Sequence, residues 1–541
     1  MRTATSILLL LPLIAACGTG EGTIDGKEGG EPESDTDLDT DVEDGTDGGE
    51  ANPETLVDRM SLDRLMGHLD ALQAIADAQD GNRVVGSPGY DESALYIAEQ
   101  LEAAGYAVEW QEFEYRVWYP TDDPTLSTAD TEYEADSDIA LLAYTPGGEV
   151  TAELTPVDVI VPISGGENTS TSGCEPGDFS DFPAGNIALI QRGSCAFIDK
   201  AMNAQDAGAV GVIVFNEGQS GRRGVVEGTL GDPGDLSIPV LGASYAVGEA
   251  LVAAAAEGPV EVSMSAEVVS EARPTWNLLA DLPGQTDDLV VVGGHLDSVS
   301  AGPGINDNGS GSALVLELAL QSAELGRDHA NTLRFAFWGA EEVGLVGSSV
   351  YVDRLAADDL EKHIANLNFD MVASPNGGRF VYDGDNSDTS GGYPGPVGSD
   401  LIEDLFTDFF DGEDLSHAPT AFDGRSDYGP FIYYGIPAGG LFTGAEMPMS
   451  AQQAELFDAQ SGRAMDACYH QGCDTNDNVD EMLFLDMARA AAHATESMAD
   501  ITDLGARRSR GVADASLEPP THHAADVATH GGCGGPDLAE R

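Results

Sequence analysis

Leu289-Val290-Val291-Val292-Gly293-Gly294-His295-Leu296-Asp297 is the stretch on which the fold turns. Its first four residues are leucine or valine, with no polar alternation. Such a run suits a strand covered on both faces, as in a parallel sheet between helices. A histidine and an aspartate follow soon after. The same pattern recurs outward along the chain. Gly304-Ile305-Asn306-Asp307-Asn308-Gly309 leads into a periodic apolar stretch that predicts a helix over residues 312–325. Residues 332–338 read as a second strand, followed by Glu341-Glu342. Residues 364–369 read as a third, closed by Asp370. Buried strands alternating with helices make this part of the chain an α/β sheet.

Most of the chemistry-bearing residues therefore follow the carboxyl end of a strand: His295, Asp297, Glu341, Glu342 and Asp370, with Asp307 just before a helix. In open α/β sheets that edge is where ligands bind. Carboxylates gathered there repel one another and raise their own pKa values, a penalty that a bound cation removes. One histidine among carboxylates is a ligand set that zinc accepts, and a catalytic zinc keeps a position open for water. A second metal needs a second histidine. His470 stands in Asp466-Ala467-Cys468-Tyr469-His470-Gln471-Gly472-Cys473-Asp474. A short Cys468–Cys473 loop would hold Tyr469 and His470 rigidly, as a ligand requires. His68, His329, His363, His417 and His493 lack a ligand pattern, and His522, His523 and His530 read as solvated tail.

At 541 residues the chain is too long for one ordinary core, so two or more domains are expected. Acidic residues number 95 against 23 basic ones, a formal charge of −72. That sign repels nucleic acid and anionic lipid and suits cationic ligands, so no nucleic-acid partner is expected. Arg2 precedes a short apolar run from Ile7 to Ile14, too short to span a bilayer. Ile14-Ala15-Ala16-Cys17 then resembles the lipobox of a bacterial lipoprotein signal, residues 1–17, in which Cys17 is lipidated. The alternative is an ordinary cleaved signal with an incidental cysteine. The resemblance implies a cell-envelope or extracellular protein, lipid-anchored to a bacterial membrane. Residues 18–54 are mostly Gly, Asp, Glu, Thr and Pro and are expected to form a disordered, extended tether. Residues 505–541 read as a disordered tail.

Leu62, Leu65, Met66, Leu69, Leu72 and Ile75 recur at helical spacings. A second helix has Ala94, Leu95, Ile97, Ala98 and Leu101 inward and stops at Gly105. Residues 107–115 read as a strand. From residue 139 to 270 the texture changes to Val, Ile and Gly. There a buried strand, 187–190, runs into Gln191-Arg192-Gly193-Ser194-Cys195-Ala196-Phe197, then a helix over 198–207 and a strand over 210–215. This run resembles the protease-associated domain, a small β-rich module inserted into several secreted peptidases. The resemblance implies a module with no chemistry of its own, which covers or gates an active site or helps bind substrate.

The flanking stretches, 55–138 and 271–504, resemble the secreted di-zinc aminopeptidases, the family of aminopeptidase Y and the bacterial leucyl-type enzymes. The resemblance implies the zinc exopeptidase fold, a mixed central sheet flanked by helices, with two Zn2+ ions per chain acting on peptide substrates. It implies that Asp307 bridges both ions, that His295 and Asp370 complete one site, and that Glu342 and His470 complete the other. Asp297 would orient the His295 imidazole. Glu341 would be the general base, and Tyr469 and Arg425 would steady the oxyanion or the substrate carbonyl. Disulfides Cys174–Cys195 and Cys468–Cys473 are expected and suit an oxidising compartment. Cys533 is left over, as a free thiol or an intermolecular bond. One segment departs from the family: its Ser-Asp-His reads Ser426-Asp427-Tyr428 here, which bears on substrate preference rather than on metal binding. The same fold serves glutamate-type carboxypeptidases and glutaminyl cyclases. A metal-free binding protein is the rival from outside enzymes. A carboxypeptidase would need a basic pocket, for which this chain has few Lys and Arg, and a metal-free binder would lack ligands, of which none is missing.

Overall fold

The computed structural model describes residues 54–504, apart from 163–165, 167, 232, 390–391 and 503. The expected lipobox with Cys17, the acidic tether up to residue 53 and the tail with Cys533 lie outside the described residues. Two eight-stranded sheets organise the rest. The larger contains β1 (Val108–Pro120), β2 (Val268–Leu282), β3 (Leu289–His295), β4 (Thr332–Trp338), β5 (His363–Phe369), β6 (Phe380–Tyr382), β7 (Ala418–Thr420) and β8 (Ala438–Phe442). Their spatial order is β1-β2-β4-β3-β5-β8-β6-β7. The central four, β4-β3-β5-β8, are parallel. Antiparallel pairs join β1 to β2, β2 to β4, and β6 to β8. The sheet is mixed, as expected.

Burial on both faces explains the unbroken apolar run of β3. Val290 and Val292 pack with the helices Leu62–Ala78, Pro88–Ala103, Gly311–Leu325, Ser399–Gly412 and Glu481–Asp500. Val291 faces the other way, toward Trp338, Tyr351 and Phe431. Each such side chain contributes roughly 1.5–3 kcal/mol by leaving water. The strand continues past its apolar run to His295. Its two glycines are there for space. A Cβ on Gly293 would lie 2.7 Å from Trp338 Nε1, and one on Gly294 would lie 2.7 Å from the carbonyl oxygen of Phe369. His295 therefore sits at the strand's last position, level with Trp338 of β4.

The second sheet runs from Thr125 to Ala266, and its edge lies upstream of residue 139. Thr125–Thr128 and Glu132–Tyr133 form a small hairpin that pairs with Glu261–Ala266. Only Leu126 of that hairpin is buried, so a polar sequence hid it. The sheet continues through Gly148–Val157, Ile187–Gln191, Gly211–Phe215, Val240–Ala243 and Ile139–Leu141. The chain leaves the larger sheet along β1 and returns along β2, which pair over all thirteen residues of β1. Leu95, expected inward, is 45% exposed. It stands one residue off the stripe formed by Ala94, Ile97, Ala98 and Leu101, all of them buried.

Candidate metal centre

Four loops at the carboxyl ends of the parallel strands converge. His295 closes β3. Asp307 lies in the turn Ile305–Ser310, just before the helix Gly311–Leu325, and its peptide bond to Asn308 is cis. The amide N–H groups of Asn306 and Asp307 donate to the carboxylate of Asp474 at 2.8 and 2.9 Å. Beyond β4, Ala340 takes a positive φ of 61° and turns the chain into Glu341-Glu342. The two amides of that pair donate to the carboxylate of Asp297 at 3.1 and 3.3 Å. Asp370 follows β5 and accepts a hydrogen bond from Ser426 Oγ at 2.6 Å. Ser426 Oγ in turn accepts from Asn368 Nδ2 at 2.8 Å. His470 sits at a φ of 56° inside the loop closed by Cys468–Cys473. The second expected disulfide, Cys174–Cys195, is also formed.

Two groups result. His295 Nε2 lies 3.4 Å from Asp307 Oδ1 and 3.3 Å from Asp370 Oδ1. His470 Nε2 lies 3.1 Å from both Asp307 Oδ2 and Glu342 Oε2. Asp307 belongs to both groups, and within each the ligand atoms lie within 4.8 Å of one another. Glu341 Oε2 lies 3.8 Å from His295 Nε2, and His295, Glu341 and Glu342 form a further group within the same 4.8 Å.

The electrostatics are those of a carboxylate-rich cation site. Burial, with the charge of Asp307 adding to it, pushes Glu342 up to about 7. Burial pushes Glu341 well above the usual carboxylate range. Burial acts on Asp307 in the same direction, yet His295 and His470 hold it well below that range. Asp307 Oδ2, Glu342 Oε1 and Asp370 Oδ1 are buried without a hydrogen-bond partner. Asp307 Oδ2 has an imidazole nitrogen nearby, but not in hydrogen-bonding alignment. Orphaned buried oxygens of this kind are costly unless a ligand takes them up. Two imidazoles with three such carboxylates fit a divalent metal of the zinc type. A further acidic group, Asp383, Asp385 and Glu403, differs. Asp383 already accepts the amides of Ser387, Asp388 and Thr389.

The remaining expected residues sit around this centre. Asp297 meets the imidazole chiefly through its backbone: His295 Nδ1 is 3.1 Å from its carbonyl oxygen and 3.7 Å from its carboxylate. The carboxylate is taken up by the Glu341-Glu342 amides, which a reading of side-chain spacing does not reveal. Arg425 donates to Tyr469 Oη at 3.1 Å and to Glu446 Oε1 at 3.0 Å. The Tyr469 ring stacks on His470 with centroids 3.9 Å apart. Glu446, Asp474 and Arg83 were missed by sequence reasoning. For Glu446 a signal existed, an acidic residue just beyond the end of β8.

Comparison with known proteins accounts for this arrangement. A model of peptidase family M28 matches residues 277–495, which hold every site residue named above except Arg83, and a PA domain model matches residues 150–251. An aminopeptidase of Pseudomonas aeruginosa is 45% identical over 418 residues, covering 76% of this chain and 76% of its own. The chain belongs to peptidase family M28. This M28 member is an enzyme, a hydrolase, with an inserted PA domain. It is also similar to a probable lipoprotein aminopeptidase of Mycobacterium tuberculosis, 41% identical over 79% of this chain and 82% of that one. Among solved structures it resembles the aminopeptidase from Aneurinibacillus sp. strain AM-1. That match has 27% identity and a TM-score of 0.61, and covers 83% of this M28 chain and 96% of the other. As an enzyme of this family it is not the metal-free binder that stood as a rival.

Proposed function

We propose that this M28 peptidase is a two-zinc aminopeptidase that removes residues from the amino end of peptides. The observation that carries the reading is the trio of orphaned oxygens on Asp307, Glu342 and Asp370, facing two histidines with Asp307 shared. His295, Asp307 and Asp370 would hold one ion, and Asp307, Glu342 and His470 the other. Bound zinc would polarise the scissile carbonyl and acidify the attacking water. Glu341, which is outside the two groups that share Asp307, would take the proton of that water and pass it to the leaving amine. Tyr469 Oη accepts from Arg425, so its own O–H is free to donate to the developing oxyanion. Burial, then the charge of Asp307, pushes the Tyr469 pKa up and keeps that proton in place.

An aminopeptidase must receive an ammonium group, a carboxypeptidase a carboxylate. The charge balance here favours the ammonium. Arg425 is engaged by Glu446 and Tyr469, and Arg83 is fully buried among backbone carbonyls. A panel of aminoacyl chromogenic substrates and carboxyl-terminal substrates, assayed with and without chelator, tests the reading. Chelator-sensitive release from the amino end is expected. Chelator-resistant activity, or active enzyme with only trace zinc or cobalt, refutes it. The lipobox supports an anchor at Cys17 on a bacterial membrane, as does similarity to a relative named as a lipoprotein. Cys17→Ser should abolish membrane association or processing, and mass spectrometry finding an unmodified Cys17 in the mature protein refutes the anchor.

A further inference from the structure

Arg83 belongs to none of the motifs and lies far from them in sequence. It stands in the loop between the helices Leu62–Ala78 and Pro88–Ala103, and its side chain is fully buried. Nε donates to the carbonyl of Pro303 at 2.8 Å, Nη2 to that of Gly304 at 2.6 Å, and Nη1 to that of Leu296. The backbone is engaged as well. Its N–H donates to Ser298 Oγ at 2.9 Å, and its carbonyl accepts from the N–H of Ser298 at 3.2 Å. All these contacts fall on the loop that joins His295 to Asp307.

A buried guanidinium is costly unless its charge and its donors are both met. Its donors are met by three carbonyls. Burial pulls its pKa down to about 10, and the charges of Asp297, Asp474, Asp307 and Glu342 offset only part of that cost. A neutral side chain would leave those carbonyls buried and unpaired, at the usual penalty for an unmade hydrogen bond. Lysine keeps the charge but not the planar fork, so it cannot reach three diverging acceptors at once.

We propose that Arg83 is a positioning residue of the metal centre, whose guanidinium holds the 296–304 loop so that His295 and Asp307 face each other across the metal gap. The proposal rests on the reading of the cluster as a zinc site. Among the described residues its hydrogen bonds go to Ser298 and to the carbonyls of Leu296, Pro303 and Gly304, not to a ligand side chain. It acts through the backbone on either side of the loop, and its effect is on metal affinity first and on turnover second.

The test is a zinc titration of the apoprotein against a competing chromogenic chelator, with thermal unfolding of the same apoproteins, for wild type, Arg83→Lys and Arg83→Met. Arg83→Lys should still fold, with a lowered melting temperature from the carbonyls it leaves unpaired, and bind zinc about 10–100-fold more weakly, the usual cost of losing an outer-shell support. Arg83→Met should be weaker still. At saturating zinc, kcat should recover most of the way in Arg83→Lys, with KM little changed. Equal zinc affinity in wild type and both variants overturns the proposal and leaves the metal reading standing. An Arg83→Lys apoprotein that does not fold also overturns it, since the residue is then a general requirement of the fold. Wild type that takes up no zinc overturns the metal reading and this proposal together.

Discussion

The carboxylate of Asp474 holds the backbone of Asp307, whose amide N–H donates to Asp474 Oδ2 at 2.9 Å. The neighbouring amide of Asn306 donates to Oδ1 at 2.8 Å, and that of Ile305 to the Asp474 carbonyl at 3.1 Å. Asp474 directly follows Cys473, in the loop that also carries His470. One short loop thus supplies a histidine and fixes the carboxylate opposite it. Asp474→Ala should weaken zinc binding about 10–100-fold while leaving most of the fold intact. Zinc titration and circular dichroism on the same samples check this. Wild-type zinc affinity in that variant would show that the turn at Asp307 holds without its anchor.

The two disulfides should behave differently when removed. Cys468–Cys473 closes a loop with a sequence separation of 5, and Cys174–Cys195 one of 21. Loop-closure entropy gives about 2 kcal/mol for the shorter and about 3 kcal/mol for the longer. The shorter one, however, carries Tyr469 and His470 between its cysteines. Paired serine substitutions at Cys468 and Cys473 should lower zinc affinity and kcat together. The same change at Cys174 and Cys195 should lower the melting temperature and leave zinc affinity alone. Equal zinc affinities in the two variants would mean that the loop is held without its bond.

Much of the site could be read from sequence because parallel strands buried on both faces are continuous apolar runs, and their ends mark the functional edge. β3, β4 and β5 announce themselves in this way, and with them His295, Glu341, Glu342 and Asp370. β6 and β7 are three residues each, too short to show a period. Arg83 and Asp474 escape for a different reason. Arg83 is 213 residues from Leu296, and Asp474 is 167 from Asp307. Nothing local in either stretch says which backbone groups it will meet. Asp297 was found, but its main partners are amides that only the turn at Ala340 brings near.

The PA domain contains a pH-sensitive group unrelated to the metal. Lys200 is fully buried, with Nζ donating to the carbonyl of Ser172 at 2.5 Å. Burial pulls its pKa down to about 8, against about 10.4 in the unfolded chain. Below about pH 8 the amine is charged in both states, and the folded state carries the full desolvation penalty. Between about pH 8 and 10.4 the unfolded chain binds more protons than the folded one, so this contribution to stability rises with pH. Above that window the penalty is gone. Unfolding free energies of wild type and Lys200→Met, measured from pH 7 to pH 10.5, should therefore show wild type gaining on the variant as pH rises. A pH-independent difference would mean that Lys200 keeps its ordinary affinity for protons.

Glu341 and Glu342 are neighbours whose carboxylates approach different histidines, while both lie within 4.8 Å of a common His295 nitrogen and of each other. Glu342 Oε2 is 3.1 Å from His470 Nε2, whereas Glu341 Oε2 is 3.8 Å from His295 Nε2. Both amides are held by Asp297, so the turn that separates the two side chains is fixed. Glu341→Gln keeps shape and removes basicity. It should lower kcat by about a hundredfold or more, the usual scale of a lost general base, with zinc content unchanged. Glu342→Gln should instead weaken zinc binding, because a neutral amide is a poorer ligand than a carboxylate, and part of its kcat should return when zinc is added. Zinc content and kcat measured on both variants decide between the roles. If Glu341→Gln loses metal while Glu342→Gln keeps it, base and ligand are exchanged, and the carboxylate beside His295 is the one that binds.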